Sequence, residues 1–91
     1  MSGEFKGTPG PWHIMRGDVL DKNGRMVALI EGFCSGEAEI YDAQIISAAP
    51  ELLQSLREVV GSLGVMVNDP ENCPEIIKAR AAIAKALGET Q

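Results

Sequence analysis

The chain has 91 residues, the size of one domain, and a domain that small buries only about 60–65% of the surface its unfolded chain exposes. Hydrophobic residues make up 45% and aromatics 4%, so a core must come from Ile, Leu, Val, Met and Ala, with oligomerisation as a natural supplement. The formal charge of −5 excludes tracking along polymeric nucleic acid, which needs a clustered excess of Lys and Arg, but leaves room for a small anionic ligand met by a few basic groups in one pocket.

The segment 1–11 reads as a flexible lead-in, polar and glycine-rich, closed by Thr8-Pro9-Gly10-Pro11, whose prolines fix an extended entry. A β-meander is expected over 12–33. Trp12 to Met15 form its first strand, Arg16-Gly17-Asp18 turn into Val19-Leu20, and Asp21-Lys22-Asn23-Gly24 lead into Met26 to Ile30. At that second turn Asn-Gly supplies the positive φ values of a tight hairpin. Alternate strand residues face opposite sides, so one of Trp12 and His13 points inward, and tryptophan is the better candidate.

Gly32, Ser35 and Gly36 end the sheet, and the helical part spans 37–88. Glu37, Glu39 and Asp42 belong at a helix start, where the dipole favours negative charge, which explains them without catalysis or a metal. Pro50 either kinks one long helix or opens a second segment from Pro50 to Leu63. On 3.6-residue spacing Ile45, Ala49, Leu52, Leu53, Leu56, Val59, Val60 and Leu63 share the face that should cover the sheet, and Gly61 and Gly64 loosen the end. A polar turn at 68–72 leads through Cys73-Pro74 into a last helix that stops at Leu87-Gly88. Strands first and helices after indicate an α+β fold, a small antiparallel N-terminal meander packed against C-terminal helices in one domain.

No apolar run reaches the ~20 residues of a membrane span, and the amino end lacks a basic region followed by an apolar one, so neither insertion nor secretion is expected. Cys34 and Cys73 read as reduced thiols. His13 is the single histidine, and with no cysteine partner at ligand spacing a zinc site is not expected, nor any cofactor. No phosphate-binding glycine loop, nucleophile elbow or paired nucleophile and base occurs, which argues against an enzyme.

Arg80 is the most informative position. Ile76, Ile77, Ile83, Ala84 and Leu87 form an apolar stripe with Arg80 at its centre, which would leave the guanidinium partly buried. Because arginine keeps its charge, it then needs an acid such as one from the first helix, a stem that reaches water, a partner subunit's carbonyls, or a ligand phosphate. Arg57 has the place of a surface arginine at the edge of the first apolar face, and Lys78 and Lys85 fall on the solvent side. Ala79, Ala82 and Ala86 make a narrow small-residue flank, suited to close helix approach or simply to helix formation. Asn68 and Asn72 suit turns, and could also read a base or ribose edge.

The run from Asp42 to Leu53 (Asp-Ala-Gln-Ile-Ile-Ser-Ala-Ala-Pro-Glu-Leu-Leu), then Leu56 and Lys78 to Ala86, looks like a pattern common in small phage and prophage proteins. With Gly10-Pro11-Trp12 and the Asn-Gly hairpin, the whole resembles the first family of Thoeris anti-defence proteins, phage sponges that hold immune signalling nucleotides without cleaving them. That resemblance implies a homo-oligomer, a dimer or a trimer of dimers, in the cytoplasm of the infected bacterial host. It implies capture of glycocyclic ADP-ribose isomers, and in some members cyclic trinucleotides, against Thoeris and CBASS-type immunity. Arg80 carries over as the arginine that meets phosphate, with Arg57, Asn68, Asn72, Lys85 and His13 as further candidates by location. The alternative is a phage protein-interaction adaptor with no nucleotide ligand.

Overall fold

The structure, a computed structural model, describes residues 4–30 and 38–89; the expected sheet end at Gly32 to Gly36, Cys34 and Glu37 lie outside the described residues. It has three strands, β1 (His13–Met15), β2 (Asp18–Leu20) and β3 (Met26–Ala28), then helices α1 (Ala38–Ser47), α2 (Ala49–Met66) and α3 (Pro74–Ala86), with a 3-10 turn at Pro70–Asn72. The strands form an antiparallel sheet in the order β1-β2-β3, so the fold is α+β as expected. Two compact units divide the chain, Gly7–Leu52 and Leu53–Gln91 with Met1–Lys6.

In the Gly7–Leu52 unit, β1 and β2 pair His13 with Leu20, Ile14 with Val19 and Met15 with Asp18. Arg16 and Gly17 join them with φ of 56° and 85°, the doubly left-handed backbone whose twist matches a two-residue hairpin. Positive φ had been expected at Asn23-Gly24; there Gly24 alone adopts it, at 86°. The reason is a longer loop. Asp21 N–H donates to Arg25 O at 2.8 Å and Gly24 N–H to Asp21 O at 3.0 Å, and β2 and β3 shift register between Val19 and Leu20. A side chain holds this loop: the buried Asp21 accepts at Oδ1 from Asn23 N–H at 2.8 Å and Arg25 N–H at 2.9 Å.

Helix α1 lies against β1 and β2, and Val19 and Ala43 are the buried apolar residues among the described residues of this unit. Within α1 the expected apolar residue is not the one buried: Ile45 is 63% exposed, and Ala43, one turn from Ser47, is enclosed instead. A short side chain there lets the helix approach the sheet closely. Ala48 N–H is shared between Gln44 O and Ile45 O, both at 3.2 Å, which closes α1. Pro50 then sits in the first turn of α2, where its missing N–H costs nothing, so it opens a second helix rather than kinking one. Trp12 is half-buried and donates Nε1–H to Thr8 O at 3.2 Å, while His13 is exposed.

In the other unit, α2 continues through Gly61 and Gly64 to Met66, so the glycines do not end it. Val67 N–H still reaches Leu63 O at 3.0 Å. The polar turn forms as Pro70–Asn72, with Asn72 Nδ2–H donating to Asp69 Oδ2 at 2.6 Å. Helix α3 buries Ile76 and Ile83, while Ile77 of the expected stripe is exposed. Gly88, at φ 77°, terminates it as expected: Gly88 N–H donates to Lys85 O at 3.1 Å and Glu89 N–H to Ala84 O at 2.8 Å, the paired bonds of a Schellman stop.

Candidate functional site: a two-arginine groove between α2 and α3

Within the Leu53–Gln91 unit, α2 and α3 line a cavity of about 550 Å³. Arg57, Val60 and Gly61 of α2 face it at relative positions i, i+3 and i+4, and Arg80, Ile83 and Ala84 of α3 face it at the same spacing. Glu89, held just past the end of α3 by its bond to Ala84, completes the lining. Each wall thus carries a guanidinium one turn before an aliphatic and a small residue. Two arginines beside aliphatic side chains, with Glu89 also on the lining, suit a ligand with an apolar or planar body and an anionic group, since the guanidinium fork matches carboxylate and phosphate geometry.

Arg80 has about half of its side chain shielded from solvent, at 47% exposed, between Ile76 and Ile83 along α3. Nη1 lies 3.4 Å from each carboxylate oxygen of Glu71. An intramolecular ion pair therefore forms, with an acid of the 3-10 turn and not of the first helix. Glu71 is itself 77% exposed, so the pair is long and solvated, and Arg80 remains part of the groove lining.

Of the candidate residues, the groove brings together Arg57 and Arg80. Asn68 is exposed in the bend after α2, Asn72 is engaged with Asp69, and Lys85 is exposed near the end of α3; none of the three lines the groove. His13 belongs to β1 in the Gly7–Leu52 unit. Val60, Gly61, Ile83, Ala84 and Glu89 were not foreseen as lining. The signal that could have found them is the repeated Arg-x-x-aliphatic-small pattern at 57–61 and 80–84.

A second, shallower depression of about 280 Å³ is lined by Glu58, Val59, Ser62, Leu63 and Met66 of α2. Among the described residues, no group of three or more His, Cys, Asp and Glu is placed to hold a metal, and no helix is long and apolar enough to cross a membrane. Cys73 is a free thiol, 3.4 Å from Glu75 Oε1.

No curated protein and no solved structure gives a significant match to the chain. A family model described as Salmonella phage P22 protein Y8K6 matches residues 1–90. With its whole described length inside that match, the chain belongs to this family of phage proteins.

Proposed function

We propose that this phage protein is a non-catalytic binding protein that captures a small anionic ligand in the Arg57–Arg80 groove. In its fuller form the reading is an anti-defence sponge in the cytoplasm of the infected host, holding a cyclic nucleotide immune signal without cleaving it. The observation that carries it is the convergence of two arginines, from two helices, on one cavity. Its volume of about 550 Å³ falls within the roughly 300–1,000 Å³ of small-molecule sites. Membership of a phage family suits an anti-defence role, and the sequence resemblance supplies the ligand class. Capture lowers a signal's free concentration by stoichiometry, so the groove needs affinity and no turnover.

A direct experiment mixes the protein with glycocyclic ADP-ribose or a cyclic trinucleotide, separates bound from free, and heats the complex. Return of intact ligand supports the sponge. Cleaved product would make the protein an enzyme, and no uptake of either nucleotide would remove the sponge. The second reading, a protein-interaction adaptor, is favoured by the exposed apolar depression on α2 and would then stand.

A further inference from the structure

Glu89 stands where local chemistry would not put an acid. The stop of α3 turns on Gly88, at φ 77°, with Gly88 N–H donating to Lys85 O at 3.1 Å and Glu89 N–H to Ala84 O at 2.8 Å. In such a stop the residue after the glycine is commonly apolar and packs back on the last turn of the helix. The C-terminal end of a helix dipole, moreover, disfavours negative charge nearby. Glu89 departs from both preferences, and natural sequences tend to break local rules at functional sites. The same turn brings Glu89 onto the groove lining that holds Arg57 and Arg80.

We infer that Glu89 is a specificity-determining residue, which makes the groove select an anion that also carries hydrogen-bond donors over a bare polyphosphate. The ligand class is a nucleotide whose ribose hydroxyls or base amine reach the carboxylate while its phosphate meets the arginines. This rests on the reading of the groove as an anion site.

The lining carries two guanidiniums and one carboxylate, a formal surplus of one positive charge. Two arginines alone would favour the most highly charged anion that fits. A carboxylate accepts hydrogen bonds and donates none, so phosphate oxygens offer it nothing but repulsion, whereas a hydroxyl or an amine completes it. Selectivity of this kind comes from the repulsive element as much as from the attractive ones. Placement gives the two interactions separate ends. The bond from Glu89 N–H fixes its backbone beside Ala84 O, one turn of α3 beyond Arg80, so one ligand can present a phosphate at one end and donors at the other. An acid that accepts from a ribose hydroxyl is a recurrent pairing in nucleotide sites.

Calorimetry of the full chain with inorganic pyrophosphate and with ADP-ribose tests the inference. Both probes carry a diphosphate, and only the second adds hydroxyls and an amine. The natural protein should bind ADP-ribose at least about tenfold more tightly than pyrophosphate, the scale of a hydrogen bond to a charged group. Glu89→Gln should shrink that preference at least about fivefold, chiefly by admitting pyrophosphate, with helical circular dichroism unchanged. Glu71→Gln removes an equal charge from outside the lining, and should strengthen both probes while leaving their ratio as it was. A ratio unmoved by Glu89→Gln, with both probes bound, would overturn the role of Glu89 and leave the anion site standing. A ratio that shrinks as much in Glu71→Gln would also overturn it, since overall charge would then be the cause. Binding of neither probe to any of the three proteins would remove the anion site itself, and this inference with it.

Discussion

Gly10 lies directly against Pro50: a methyl group at position 10 would stand 2.7 Å from Pro50 Cβ and 3.1 Å from Cγ. The lead-in and the start of α2, forty residues apart in sequence, thus meet at the one side chain that has no atoms to spare and the one ring that cannot rotate away. Gly10→Ala should destabilise the protein by about 1–3 kcal/mol, the cost of overpacking a closed contact. Chemical denaturation of the two proteins measures it. Equal midpoints would mean that the contact gives way freely.

The two hairpin turns carry opposite expectations. At Asp21 the buried carboxylate accepts two backbone N–H groups, and hydrogen bonds to a charged acceptor are worth about 1.5–3 kcal/mol each in favourable cases. Asp21→Ala should therefore lower stability by about 2–3 kcal/mol, and Asp21→Asn, which keeps an acceptor oxygen, by much less. Arg16, at φ 56°, instead bears the steric cost of a left-handed residue with a Cβ, about 1–2 kcal/mol. Arg16→Gly should raise stability by roughly 0.5–1 kcal/mol after the added chain entropy is counted. Thermal melts that move in the same direction for Asp21→Ala and Arg16→Gly would contradict this account.

The elements were legible where local chemistry determines them. Asn23-Gly24 marked a turn and Gly88 a helix stop, because each acts through its own backbone, while Pro50 marked a break that could be a kink or the opening of a second helix and proved to be the opening. The hairpin at Arg16-Gly17 was legible as a turn but not as the doubly left-handed one, since arginine has no preference for that backbone. What spacing alone could not decide was which stripe of a helix would be enclosed. Ile45 and Ala43 are both apolar, and the choice of Ala43 depends on how close the sheet comes. Arg80 shows the same limit: its place between Ile76 and Ile83 was plain, but spacing did not point to Glu71 of the 3-10 turn as the acid beside it. Asn68, Asn72 and Lys85 were chosen by location in loops and helix ends, and location did not bring them to the groove.

The Arg80–Glu71 pair should matter more to binding than to folding. Both groups are well exposed and 3.4 Å apart, so the pair is worth about 0–1 kcal/mol and Arg80→Ala should leave stability nearly unchanged. Removing the guanidinium should weaken anion binding at least about tenfold. Glu71→Gln is the informative partner experiment, because it releases Arg80 from a competing carboxylate. Calorimetry with inorganic pyrophosphate and with glycocyclic ADP-ribose should show tighter binding to Glu71→Gln than to the natural protein. Weaker binding would mean that Glu71 orients Arg80 for the ligand, and no effect of either substitution would take Arg80 out of the site.

Gly61 offers a test in which stability and binding move in opposite directions. It lies in the interior of α2 on the groove lining, and a Cβ built there meets nothing within 4 Å. Glycine inside a helix costs about 1 kcal/mol relative to alanine, so Gly61→Ala should stabilise the protein by roughly that amount. The methyl takes up little of a cavity of about 550 Å³ and should leave binding close to its original strength. Gly61→Trp keeps most of the helix gain and projects an indole into the space between Arg57 and Arg80. Its melting temperature should stay at or above that of the natural protein, while uptake of the nucleotide falls by at least about tenfold. A ligand held with unchanged affinity by Gly61→Trp would have to sit elsewhere, because the groove cannot hold both.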